Sequence, residues 1–198
     1  MSNQISTPLR RVSILAIDRV FASTLMQAKD FFHLASLRYG KQQGLGLTPA
    51  FETRLVSPDG QSVRSFSDVI MPVDGGLENA DIIVLPAFWD DFDALCTRYP
   101  QVLPWLREQH ARGAVLCGEA TGVFWLAEAG LLDGKEATTY WRFFNAFSER
   151  FPKVQLNQDK HLTDADNLYC AGGTTSACDL YIYPVSYTHL RAHETKAN

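Results

Sequence analysis

The residues able to do chemistry gather in one stretch, 116–141, LCGEATGVFWLAEAGLLDGKEATTYW. Residues 113–116 read as a buried strand and 117–122 as a tight turn, followed by a helix whose Val123, Phe124, Leu126 and Ala127 face a core. Strand, sharp turn and helix is the layout of a nucleophile elbow, which presents one side chain and several backbone N–H groups at a helix N-terminus. Such a place binds an anion or a carbonyl, or attacks one. Glycines at 118 and 122 permit close backbone approach, so Glu119, Ala120, Thr121 and Gly122 are candidate ligand-binding positions. Attack would need a thiolate, and a thiolate needs a cationic neighbour or a helix N-terminus to lower its pKa. Cys117 falls at the strand end or turn start, where a side chain packs inward, and His33, His110 and His161 occupy no recognisable partner position. Asp18 and Ala87, just after two other strands, complete the candidate set with Tyr140, an aromatic of core or pocket wall whose hydroxyl can hydrogen-bond a ligand. Trp89, Asp90 and Asp91 read as a solvated loop with a half-buried ring, with a pocket wall or lid as the alternative. Thr174, Thr175 and Ser176 read as the N-cap of a last helix, with Asp179 in its first turn.

These positions need a frame. Residues 12–17 form a continuous apolar run, as in a parallel strand buried on both faces. Ser23 then suits a helix N-cap, and Leu25, Ala28, Phe31, Phe32 and Ala35 recur at helical spacing to about residue 38. A polar, glycine-rich connector over 40–49 precedes a strand in which Phe51, Thr53 and Leu55 alternate, a Ser-Pro-Asp-Gly turn at 57–60, and a short returning hairpin arm over 62–66. Residues 80–85 read as the third buried strand, followed by helices entered near Asp90 and over 100–112. Beyond the elbow, a helix over 141–151 stops at Pro152, and short strands at 154–156, around Leu162 and at 168–170 lead to a helix that Pro184 should break. The alternation predicts an α/β fold, a doubly wound, mostly parallel sheet flanked by helices. Such sheets bind ligands at the carboxyl ends of their strands, so the loops after Ile17, Leu85 and Leu116 should line one pocket.

At 198 residues, 46% hydrophobic and 12% aromatic, the chain is long enough for one full core. A net charge of −4 without clustered Lys and Arg argues against gripping nucleic acid directly. No apolar run approaches the roughly 20 residues of a membrane helix, and six apolar residues after Arg10 and Arg11 are too few for a signal peptide, so a cytoplasmic location is expected. The four cysteines show neither CxxC nor metal-ligand spacing, and no cofactor or metal is expected. From Ser186 onward SYTHLRAHETKAN loses apolar periodicity, and VSYTHLRAHET looks like a translated library adapter. The expected domain therefore covers 10–184, with 185–198 a non-native tail that removes His189 and His193 from any site.

The stretch from Ala120 follows the pattern C-[ST]-G-x-F-x-L-A-x-A-G-L-L-D-G closely except at its first position, and with TSACDL at 175–180 it resembles the class I glutamine amidotransferase-like domain of PfpI/ThiJ type. That domain stands at the N-terminus of many AraC-type transcription regulators of the GlxA group. FASTLMQAKDFFHLA at 21–35 is similar to the family's first helix, and DIIVLPAF at 81–88 to its strand and turn before the site, with Ala87 where a glycine is more usual. The resemblance implies a flavodoxin-like fold. Counting back from Gly122 and Phe124 puts Ala120 at the family's cysteine, and Thr138, Thr139, Tyr140 and Trp141 put Tyr140 at its histidine. It therefore implies a catalytically silent domain that senses a small-molecule effector and forms a homodimer, with DNA contacted only by a helix-turn-helix domain missing from this chain and no membrane contact. The alternatives are a stand-alone PfpI-type cysteine hydrolase or glyoxalase-like enzyme using Cys117, or a partner-binding scaffold.

Overall fold

The computed structural model describes residues 9–42 and 50–194. In chain order it runs β1 (Arg10–Leu15), α1 (Ala22–Gln42), β2 (Phe51–Val56), β3 (Val63–Arg64), β4 (Ile70–Met71) and β5 (Ile82–Leu85). It continues with α2 (Phe92–Arg98), α3 (Val102–Ala111), β6 (Val115–Glu119), a 3-10 turn (Ala120–Gly122) and α4 (Val123–Glu128). The last part comprises β7 (Glu136–Ala137), α5 (Phe144–Arg150), β8 (Gln155–Leu156), β9 (Leu162–Ala165), β10 (Leu168–Ala171) and α6 (Ala177–Glu194). The main sheet has the order β2-β1-β5-β6-β10-β9, parallel throughout except for β9, which pairs antiparallel with β10 at the edge. The buried, mostly apolar stretches of β1, β5 and β6 fill its centre, as strands covered on both faces must.

The chain crosses the sheet in one direction from β1 to β2 and in the other from β5 to β6. Right-handed crossovers therefore place α1 and α3 on opposite faces. Tyr181 of α6 packs on Phe31 and Phe32 of α1, ring centres 5.3 and 5.6 Å apart, so α6 shares α1's face, while α4 packs with α3. The strand order reverses between β1 and β5, and the crevice at their carboxyl ends is the place such a sheet offers a ligand.

Several elements depart from expectation. The first helix starts at Ala22, one residue before Ser23, because Thr24 secures the turn by donating its hydroxyl to the Phe21 carbonyl at 2.8 Å. It continues to Gln42, tolerating Gly40 at about 1 kcal/mol relative to alanine; the rest of the expected connector, from 43, lies outside the described residues. The arm expected over 62–66 pairs with β4, not β2. Its amides are taken elsewhere, Arg64 N–H by Asp18 Oδ1 at 2.9 Å and Phe66 N–H by the Val20 carbonyl at 2.8 Å. The strand before the elbow extends to Glu119, since β5 and β10 pair with it from both sides. Finally, α6 runs through Pro184 to Glu194. One proline removes one donor, and its ring is buried with Val185 packed against the core, so the helix continues past it.

Candidate functional site

Two glycines make the elbow. A Cβ on Gly122 would stand 2.0 Å from the Leu85 carbonyl oxygen, and one on Gly118 would stand 3.0 Å from Val123 Cα. The first lets the turn press against the end of β5; the second lets α4 lie on β6. Between them Ala120 takes φ 49°, left-handed backbone that a residue with a Cβ rarely adopts, and the residue is only 4% exposed. Thr139 holds this turn by donating its hydroxyl to the Ala120 carbonyl at 2.7 Å. Thr121 ties it to the neighbouring strand end, its hydroxyl accepting the Phe88 N–H at 2.9 Å and donating to the Phe88 carbonyl at 2.7 Å. The helix that follows has six residues and enters through a 3-10 turn, too short to supply the helix-terminal anion site expected from the sequence.

Because Gly118 meets α4, its neighbours Cys117 and Glu119 point to the opposite face, toward the layer of α1 and α6. Cys117 therefore sits within the strand, not at the turn, and is fully buried. Burial, with help from Glu119 and Cys170, pushes its thiol well above the ordinary range. Glu119 was expected to present its side chain to the pocket. It is instead fully buried, neither carboxyl oxygen has a partner, and burial raises its pKa well above the usual carboxyl value. Cys170 is likewise held up to about 12, chiefly by burial.

Asp18 is anchored and not free to reach into a pocket. Besides the Arg64 N–H it accepts the Tyr99 hydroxyl at 3.1 Å and Arg98 Nη1 at 3.4 Å. Tyr99, whose pKa is raised chiefly by burial, gave no signal in the sequence as an aspartate partner. Ala87 is buried, and its carbonyl accepts the Phe21 N–H at 2.9 Å, joining the loops after β1 and β5. Tyr140 is half-buried and packs its ring on Trp141 and Phe143 at 5.6 and 6.2 Å. His110 hydrogen-bonds the Asp166 carbonyl at 2.9 Å, and His33 and His161 are exposed.

Of the seven positions expected to bind ligand, Thr121 lines a cavity of about 270 Å3, and Gly122 and Ala120 shape the turn beside it. The other walls are Phe88, Trp89, Phe92, Phe124 and Phe143, with Asp90 at the rim. Trp89, 41% exposed in a loop beside the exposed Asp90 and Asp91, is at once the half-buried ring of a solvated loop and a wall of this cavity. Asp91 belongs to α2, which it caps by accepting the Ala94 N–H at 3.0 Å. The four phenylalanine walls are hard to see in the sequence because each ring, taken in its own segment, reads as ordinary core. Their one signal was the spacing of Phe88, Trp89 and Phe92 just past a strand's carboxyl end.

The sequence matches the DJ-1/PfpI family over residues 45–182. It is 33% identical over 142 residues to the HTH-type transcriptional regulator CdhR of Pseudomonas aeruginosa, a match covering 70% of this chain and 41% of that one. The chain thus spans less than half the length of that relative. Among solved structures, an AraC family transcriptional regulator from Pseudomonas putida superimposes with a TM-score of 0.74 at 20% identity, over 90% of this chain and 92% of its own. Drosophila melanogaster DJ-1beta does so with a TM-score of 0.74 at 17% identity, over 91% of each. At such identities the two structures establish the fold.

Proposed function

The chain belongs to the DJ-1/PfpI family, and from that premise we propose that it is a catalytically silent, small-molecule-sensing domain of an AraC-type transcription regulator. The observation that carries the reading is the elbow. Its backbone keeps the strained turn that would present a nucleophile, and the residue in that turn, Ala120, has a methyl group with nothing to attack with. Cys117 does not replace it, being buried within β6 with a thiol that stays protonated. The 33% identity to a transcriptional regulator supports the same reading.

In this proposal the effector occupies the strand-end crevice and DNA is contacted by a helix-turn-helix pair outside this chain. The effector acts through its differential affinity for two states of the regulator. Dimerisation through α1 and α6 is part of the proposal, supported by exposed Leu34 and Leu37 on the first and Ile182 and Tyr183 on the second. The purified chain should hydrolyse no amide or peptide and convert no glyoxal. Turnover that disappears in Cys117→Ala would overturn the reading in favour of an enzyme. The native gene sequence after codon 183 is the second test: an in-frame helix-turn-helix pair is expected, and a stop codon there would count against a regulator.

A further inference from the structure

The cavity beside Thr121 has a wall chemistry that selects a class of ligand. Its rings form a closed circuit. Phe88 stacks on Phe92 at 5.8 Å, Phe92 meets Phe124 edge-on at 5.5 Å, Phe124 meets Phe143 at 6.2 Å, and Phe143 meets Trp89 at 5.6 Å. Trp89 is the covalent neighbour of Phe88, which completes the ring. Among the lining residues the hydroxyl of Thr121 is spent on both polar groups of the Phe88 backbone, and no lysine or arginine is present. An anion would therefore meet ring faces and a carboxylate, both repulsive. The one ionisable group on the wall is Asp90, exposed at the rim, with Oδ1 accepting the Asp91 N–H at 2.9 Å.

Aromatic faces carry negative electrostatic potential, and a cation within about 6 Å of a ring centroid is drawn to it. This cluster already holds one. The Arg150 guanidinium lies 5.2 Å from the Phe92 centroid, its charge met by Asp93 at 2.7 Å and Glu128 at 2.9 Å. A neutral apolar ligand would gain from burial alone and nothing from Asp90; a cation gains from both.

We propose that the cavity bounded by Phe88, Trp89, Phe92, Phe124 and Phe143 is a binding site for a small alkylated ammonium ion, with Asp90 as its counter-ion at the mouth. The proposal rests on the reading of the chain as a sensor and names the class of its effector. A volume of about 270 Å3 accommodates a head with three or four alkyl groups and a short tail.

The test compares choline with 3,3-dimethyl-1-butanol, which has the same shape without the charge, by calorimetric titration of the full chain at low salt. Choline should bind at least tenfold more tightly than the alcohol. Asp90→Asn, an exposed change that leaves the fold intact, should remove most of that preference, and Phe143→Leu should weaken choline several-fold with an unchanged circular dichroism spectrum. Equal or tighter binding of the alcohol would make this a neutral apolar site and overturn the proposal. So would the absence of choline binding, or an Asp90→Asn variant that keeps the full preference. None of these failures touches the sensor reading, which falls on Cys117-dependent turnover.

Discussion

Ala120 pays a conformational cost with no chemical return: φ 49° in a non-glycine residue costs about 1 kcal/mol or more. Replacing it with glycine relieves that strain and loses part of the gain to the more flexible unfolded chain. Ala120→Gly should therefore be neutral or stabilising by up to about 1 kcal/mol in urea denaturation, and a clear loss would mean that the methyl's packing outweighs the strain. Glu119 makes a sharper case. Burial raises its folded-state pKa above the unfolded value of about 4.3. Its contribution to stability is thus complete below that value and lost as pH rises toward the folded one. Glu119→Gln does not titrate, so its stability relative to wild type should be near parity at about pH 4 and should rise steadily to about pH 8. Parallel stability curves for the two proteins would show that the carboxyl keeps an ordinary pKa in the fold.

Between elements, the contact that matters most is the one joining the ends of β5 and β6. Gly122→Ala would force a Cβ into the Leu85 carbonyl, 2.0 Å away, and should cost about 3 kcal/mol or more, read as a fall in melting temperature. Thr121→Val keeps the volume and strands the buried Phe88 N–H and C=O; at about 1 to 3 kcal/mol per orphaned group it should destabilise almost as much. A Thr121→Val variant as stable as wild type would show that the strand ends are held by packing alone. The parts of this region legible in sequence are those set by local chemistry. Stretches rich in apolar residues marked β1, β5 and the start of β6, and Gly118 and Gly122 marked the turn. The cavity was not legible, because Phe88, Phe92, Phe124 and Phe143 come from four segments and meet only when the sheet brings them together. Asp18 misled for a similar reason: its strand-end position suggested a pocket residue, whereas Arg98 and Tyr99, about eighty residues away in sequence, claim its carboxylate. Pro184 misled because its rule concerns one hydrogen bond, and a helix buried along one face survives losing it.

At the scale of the whole molecule, a net charge of −4 sets what the chain does near DNA. With that charge it should shift no duplex in a gel titration at physiological salt, and any retardation at low salt should vanish as salt rises. Sequence-selective retention that survives physiological salt would sink the reading of this chain as the effector-binding half of a regulator. No described helix is long and apolar enough to cross a membrane. How the molecule would yield to an occupant of its crevice is decided by the hydroxyl of Thr121. It grips Phe88 by both backbone polar groups, so the tips of the two central strands cannot separate without breaking two bonds together. Mechanically they are a single stiff beam. A push on Phe88 loads β5 and β6 at once and travels along the sheet, with little slack in the loop to absorb it.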